Sequence, residues 1–276
     1  MIRLMFALPL ILLMSCSSPK SLVLPALPDT DESPTPFTGH DLISSDFKNS
    51  ITFYESVFLW RIQPTGDKRV GLILDSKGEQ IGTLLDGQQL SPPAPHSAWL
   101  ISAELEESTL EERLKEFTAQ GGTVRMGPEQ SGPRGKVAVV EDPQGGVLML
   151  VEPGEGERPQ LKQTPWIWHE MLCSDPEKLA EWYSSSLNSN ITELDKTRVL
   201  LNVENQDVAT FSVNPFEDTP NFWMPVLAVD ALEDTLKRLH SAGGKVVVPP
   251  SPELADGKLA IVLDPQGAAF ALQEQE

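Results

Sequence analysis

Basic residues are scarce in this chain of 276 residues: 21 Lys and Arg stand against 40 Asp and Glu, for a formal net charge of −19. No clustered Lys/Arg stripe offsets that field, so the surface repels phosphate backbones and argues against a nucleic-acid partner. Cysteine is nearly absent, with Cys16 and Cys173 far apart in the chain. Two such thiols give no disulfide framework. There is also no nucleophile motif, no glycine-rich phosphate cradle and no paired-carboxylate spacing of the kind hydrolases use. The one long apolar run, near the N-terminus, is too short to span a bilayer as a permanent helix.

That run reads MIRLMFALPLILLMSC. One basic residue precedes an apolar core, then the small Ser15 precedes Cys16, which is the layout of a secretory signal. The tail L-M-S-C resembles a bacterial lipobox. The resemblance implies that residues 1–15 are a signal peptide and that Cys16 is acylated as the mature N-terminus, which leaves Cys173 without a bridging partner. Ser17 in the next position, by similarity to the enterobacterial sorting rule, implies the outer rather than the inner membrane, met through the lipid; the periplasmic side is the expected one, although the sequence does not fix the face. Residues 16–36 carry the acylated Cys and a Pro/Ser-rich stretch that reads as a tether holding the folded part off the membrane.

The remainder repeats. Residues 134–153 read RGKVAVVEDPQGGVLMLVEP, and residues 256–276 read DGKLAIVLDPQGAAFALQEQE. Each copy is an apolar run, a DPQG turn and a second apolar run, the signature of a hairpin. Asp142 and Asp264 lie 122 residues apart (264 − 142), and Gly121-Gly122 falls on Gly243-Gly244 at the same offset. Upstream, Asp46 and Asp175 read as helix N-caps. Phe47, Ile51, Tyr54 and Phe58 form one helical face, matched by Pro176, Ala180, Tyr183 and Leu187. The pattern predicts two copies of one α+β domain, at 37–154 and 163–276, joined by a linker at 155–162. Each copy reads β-α-β-β, a further strand in the following loop, then β-α-β-β-β. Pairing of the four modules within or across the halves stays open.

The Asp-capped helix ending FY or WY and the closing V-DPQG hairpin resemble the vicinal oxygen chelate superfamily, which includes glyoxalase I, extradiol dioxygenases and bleomycin resistance proteins. More narrowly, P-W-x-W-H-E-M-x-x-x-D and DPQG-A-A-F-A-L resemble a tandem glyoxalase-like subgroup. The resemblance implies two βαβββ modules per domain forming an incomplete mixed β-barrel. It also implies, in the metal-dependent members, a divalent ion held by His and Glu from four strands. Carried over one by one, those ligand positions fall on Met149 and Ala271 in the closing strands and on Gly39 and Trp168 in the opening strands. In the middle strands they fall near Ala98 or Met224, and near Thr83 and Ala209 or Phe211. None of these side chains offers a carboxylate or imidazole, so no metal and no cofactor is expected. His40 and His169 sit one residue off and face the other side of their strand. His96, in PPAPH, is a lone histidine.

Strand alternation places Gly39, Asp41 and Ile43 on the cavity face of the first domain, and Trp168, Glu170 and Leu172 on that of the second. The expected ligand-binding residues are Trp168, Glu170, Phe211, Trp223 and Phe270, with Asp41 and Trp99 in the first domain. Glu170, ringed by aromatics, is the candidate base. The reading is a lipoprotein binding a small organic molecule without metal. The alternatives are a glyoxalase-type lyase or isomerase, or dioxygenase, and a non-catalytic envelope scaffold. The oligomeric state is not legible. If Cys16 carries the anchor, Cys16→Ser moves the protein from the membrane to the soluble fraction; unchanged partitioning would refute acylation there.

Overall fold

The computed structural model describes residues 22–275 other than 31–35, 106–107, 162–163, 188, 204 and 217–218, so the signal segment and Cys16 lie outside the described residues. After a two-residue strand β1 (Asp29–Thr30), the first half runs β2 (Phe37–Ser44), α1 (Phe47–Phe58), β3 (Arg61–Pro64), β4 (Val70–Leu74) and β5 (Gln80–Asp86). It continues with β6 (Ala98–Glu104), α2 (Leu110–Ala119), β7 (Thr123–Gln130), β8 (Gly135–Glu141) and β9 (Val147–Pro153). The short β10 (Gln160–Leu161) pairs in parallel with β1. The second half repeats the order as β11 (Trp166–Cys173), α3 (Pro176–Ser186), β12 (Asn190–Asp195), β13 (Arg198–Val203) and β14 (Gln206–Val213). β15 (Phe222–Val229), α4 (Leu232–Ser241), β16 (Lys245–Val248), β17 (Leu259–Leu263) and β18 (Ala269–Glu274) complete it.

Each half builds one eight-stranded mixed sheet, in the orders β3-β4-β5-β2-β6-β9-β8-β7 and β12-β13-β14-β11-β15-β18-β17-β16. Strands therefore pair within each half. The two modules of a half join through an antiparallel central pair, β2 with β6 and β11 with β15. The end strands do not meet, so neither barrel closes. The helix caps and hairpins follow the sequence. The Asp46 and Asp175 carboxylates accept from Asn49 N at 3.1 Å and Lys178 N at 3.3 Å. Gly121 and Gly243 take positive φ after α2 and α4, as a C-terminal stop requires.

Two expectations are corrected. The extra strand of each first module is β3 or β12, directly after the helix, and the loop before β6 holds only a 3₁₀ turn at Gly87–Gln89. Both extra strands are exposed sheet edges with almost no apolar alternation, which hid them from a pattern search. The stretch 22–30, read as tether, is packed instead: Leu24 and Leu27 are 1% and 4% exposed, and β1 pairs with β10.

The helices pack across the halves, α1 near α4 and α2 near α3. Two cores result, each shared between domains. One joins Leu110, Leu114 and Phe117 to Leu179, Tyr183 and Phe211. The other joins Phe53, Tyr54 and Trp99 to Leu232, Leu239 and Phe270. A register shift between Phe37 and Gly39, repeated between Trp166 and Trp168, turns Phe37 and Trp166 to the helix-bearing side, where they enter these cores.

The repeated DPQG turns fasten the halves. Asp142 Oδ1 accepts from Gln144 N at 2.8 Å and Gly146 N at 3.0 Å, while its Oδ2 accepts from Tyr183 OH at 3.0 Å on the other domain. Reciprocally, Asp264 Oδ1 accepts from Gln266 N and Ala268 N at 2.9 and 2.8 Å, and its Oδ2 from Tyr54 OH at 3.2 Å. Burial pushes both carboxyls up to about 6 against the downward pull of those backbone N–H groups. Gln144 extends the first contact, taking hydrogen bonds from Ser174 Oγ at 2.8 Å and Asp175 N at 3.0 Å. Removing the Tyr183 hydroxyl leaves a buried carboxylate oxygen and the Trp223 indole N–H, 3.0 Å from that hydroxyl, without it. Tyr183→Phe is therefore expected to cost about 1–3 kcal/mol in urea unfolding; an unchanged midpoint would show the contact to be dispensable.

Candidate functional site

Each sheet turns its helix-free, concave face away from the other domain, and the two faces differ. In the first domain β2 and β5 place Asp41 beside Thr83, and β6 and β9 place Ser102 beside Met149. These four side chains converge. Ser102 Oγ donates to Asp41 Oδ2 at 3.2 Å, and the guanidinium of Arg134 fills the space between them. It pairs with Asp41 through both nitrogens, one at 3.0 Å, and reaches Thr83 Oγ1 at 3.1 Å and Met149 Sδ at 3.8 Å. Arg134 and Asp41 are 2% and 0% exposed. Losing either partner would strand a buried charge, which costs about 3–5 kcal/mol.

Residues 22–28 close this face from outside. Leu24 and Leu27 join Ile43, Leu100, Val139 and Met149 in one apolar cluster. The main chain of the segment is read along its length: Ser131 Oγ donates to Leu22 O at 2.6 Å, Arg134 Nε to Pro25 O at 3.0 Å, and Gln80 Nε2 to Ala26 O at 3.0 Å. Gly39 admits the segment, because a Cβ there would lie 2.6 Å from Leu27 Cδ2.

In the second domain the register places Glu170 beside Thr210 and Val226 beside Ala271. The offset that aligns the hairpins sets Asp256 where the first domain has Arg134, so no guanidinium fills the centre. Glu170 stays half-buried, accepting a hydrogen bond from Ser212 Oγ. Burial pushes its carboxyl up to about 7; the Ser212 hydroxyl and the charge of Arg198 pull the other way. Trp168 is half-buried beside it, its Nε1 held by Thr210 Oγ1 at 3.0 Å. Leu172, Met224, Val226 and Ile261 make the apolar wall.

Asp41, Trp168 and Glu170 lie on the concave faces, where strand alternation puts them. The aromatic ring expected around Glu170 does not form. Phe211 and Trp223 belong to one helix-side core and Phe270 and Trp99 to the other. Their strand neighbours Thr210, Met224, Ala271 and Leu100 take the concave face, so they cannot share it. The positions that the register brings side by side on these faces are Asp41 with Thr83 and Ser102 with Met149 in the first domain, and Glu170 with Thr210 and Val226 with Ala271 in the second.

His40 and His169 face the helix side and meet each other between the domains, Nε2 to Nε2 at 3.0 Å. His40 stacks on Trp166 with ring centroids 4.4 Å apart. Burial holds both imidazoles below their ordinary value, His169 at about 4, so the pair is neutral with one ring donating. Beside it lies a cavity of about 80 Å³ whose lining includes Thr38, Thr164 and Ile167. Cys173 is buried, its thiol pushed up to about 12. His96 lies half-buried in the loop before β6, apart from either cluster.

Residues 168–272 match the model of the Glyoxalase/Bleomycin resistance protein/Dioxygenase superfamily. The second domain belongs to this superfamily, and the first repeats its fold. Over 241 residues the chain is 22% identical to "Putative glyoxylase CFP32" of Mycobacterium tuberculosis, covering 84% of this chain and 92% of that protein. The Mn(II)-bound glyoxalase from Novosphingobium aromaticivorans superposes with a TM-score of 0.61 at 13% identity, over 87% of this chain and 82% of that one. An extradiol ring-cleaving dioxygenase from B. fuscum gives 0.60 at 13% identity, over 94% and 74%.

The superfamily's divalent ion does not suit these residues. The four converging positions offer one carboxylate, a hydroxyl pair and a thioether in the first domain, and one carboxylate and one hydroxyl in the second. The first carboxylate is already neutralised by Arg134. Among the described residues no three His, Cys, Asp or Glu are grouped to hold a metal. No step through a metal is derived.

The raised Glu170 carboxyl sets a pH signature. Between its unfolded value, near 4.5, and about 7, the folded protein binds a proton that the unfolded chain does not. The stabilisation present below about 4.5 is thus lost as pH rises through about 7. Glu170→Gln does not titrate, so its stability relative to the parent should rise between pH 5 and pH 8. A pH-independent difference in urea midpoints would contradict this environment for Glu170.

Proposed function

We propose that the concave cleft of the second domain binds a small organic molecule without a metal ion, and that acylated Cys16 presents the protein at the outer membrane, facing the periplasm. The observation that carries the binding reading is the contrast at one equivalent position. Asp41 is locked by Arg134 and covered by residues 22–28, whereas Glu170 has no such guanidinium against it and is only partly buried, beside Trp168. A carboxyl poised near neutrality can accept from a hydroxyl or donate to a carbonyl, and the partly buried Trp168, Phe222 and Leu259, packed over Leu172, Met224, Val226 and Ile261, supply the apolar surroundings. The bound molecule is therefore expected to be flat or apolar, with one polar group aimed at Glu170. A thermal-shift screen followed by calorimetry tests this. Trp168→Ala and Glu170→Gln should each weaken a hit about 10-fold or more, roughly 1.4 kcal/mol; unaltered affinity in both variants would remove this cleft from the function.

A second reading is catalytic. The value of about 7 for Glu170 suits a general base at neutral pH, and the mycobacterial relative is named a glyoxylase. In a lyase or isomerase of that kind Glu170 would take a proton from a carbon beside a carbonyl. Turnover abolished in Glu170→Gln, with binding and folding kept, would favour this reading over simple binding.

A further inference from the structure

The first domain's concave face holds a ligand, and the ligand is a piece of the chain. Residues 22–28 are recognised as a bound peptide is recognised, through main-chain groups along their length and through two side-chain anchors. The carbonyls of Leu22, Pro25 and Ala26 accept from Ser131, Arg134 and Gln80 side chains. Arg158 reaches Leu27 O and Pro28 O at 3.3 and 3.1 Å, steadied by its ion pair with Glu104 at 2.7 Å. Backbone pairing adds Leu24 N to Ser131 O at 3.2 Å and Arg134 N to Leu24 O at 3.3 Å. Leu24 and Leu27 are the anchors, while Val23, just before them, is 52% exposed.

The receiving surface is shaped for the side chains of that segment. A Cβ on Gly39 would strike Leu27, and one on Gly132 would lie 2.7 Å from Val23 Cγ1. The second domain cannot be filled in the same way. The stretch preceding β11 by the same interval is the end of β9 and the start of the linker, already committed to the first sheet.

We propose that the first domain is a peptide-binding groove for an extended, apolar, proline-containing segment, and that its resident occupant is residues 22–28 of the same chain. This proposal is independent of what the second domain binds. Arg134 is its specificity residue: one guanidinium neutralises Asp41 and reads Pro25 O. If Cys16 is acylated, the lipid lies six residues upstream of Leu22, within about 21 Å of it at full extension, so the docked segment fixes the folded body close to the membrane.

The test is rescue in trans, with the full chain. Leu24→Ala/Leu27→Ala removes both anchors, so that the tethered segment, though still at its millimolar effective concentration, no longer outcompetes an added peptide. Its Tm should fall by about 4 °C or more. A synthetic peptide of residues 21–29 should restore at least half of that loss saturably and give a binding isotherm by fluorescence anisotropy. A control peptide with both leucines replaced by aspartate should do neither, and the parent protein should ignore both. Introducing Arg134→Gln into the anchor variant should weaken the added peptide by about 10-fold or more. If the double variant does not fold, Leu27→Ala alone takes its place in the same titration. An unchanged Tm in the anchor variant, or a folded anchor variant that fails to bind the peptide up to 1 mM (roughly −4 kcal/mol), would overturn the proposal.

Discussion

Two buried tyrosine–aspartate contacts hold this molecule in its arrangement. Tyr183 reaches back to Asp142 and Tyr54 reaches forward to Asp264, so each domain supplies one donor and one acceptor. The aspartates are already spoken for on one oxygen by their own turn, which orients the other toward the partner domain. A single residue type thus shapes a hairpin and latches a domain. With the helix-bearing faces locked together over two shared cores, the concave faces must look outward, where they can take different occupants.

They have done so. At matching positions one domain carries Asp41 and the other Glu170, but only the first retains an arginine at the position that becomes Asp256 in the second. In the first domain the guanidinium supplies positive charge between Asp41, Thr83 and Met149, and two leucines complete the apolar filling. In the second, the carboxylate lacks that partner and burial raises its proton affinity. The buried ion pair fills the first face, and losing either partner would strand a charge there; its absence leaves a partly buried carboxyl among apolar side chains, the usual composition of a small-molecule site.

Much of this was legible before the fold was known, because much of it is local. The Asp46 and Asp175 caps, the Gly-Gly stops and the DPQG hairpins are determined by a few neighbouring residues, and the repeat fixed their pairing in sequence. Alternation along β2 and β11 assigned Asp41 and Glu170 to the concave faces. The failures were of longer range. Phe211 and Phe270 looked like cleft aromatics because they are large, and Trp99 and Trp223 because they also open matched strands, yet their neighbours occupy that face and they build the cores around Tyr54 and Tyr183. The two register shifts that turn Phe37 and Trp166 inward carry no local signal. Nor could proline and serine content reveal that residues 22–28 dock, since their affinity lies in Arg134, Ser131 and Gln80, far along the chain.

The decisive measurement is where small apolar molecules bind when crystals of the protein are soaked with a fragment library containing single hydroxyl, carbonyl or amine groups. The account predicts fragments in the second domain, within hydrogen-bond reach of Glu170 and against Trp168, with the first domain's concave face still filled by residues 22–28. Fragments lodged beside Asp41 in the first domain, with that segment displaced and the Glu170 cleft empty, would contradict it.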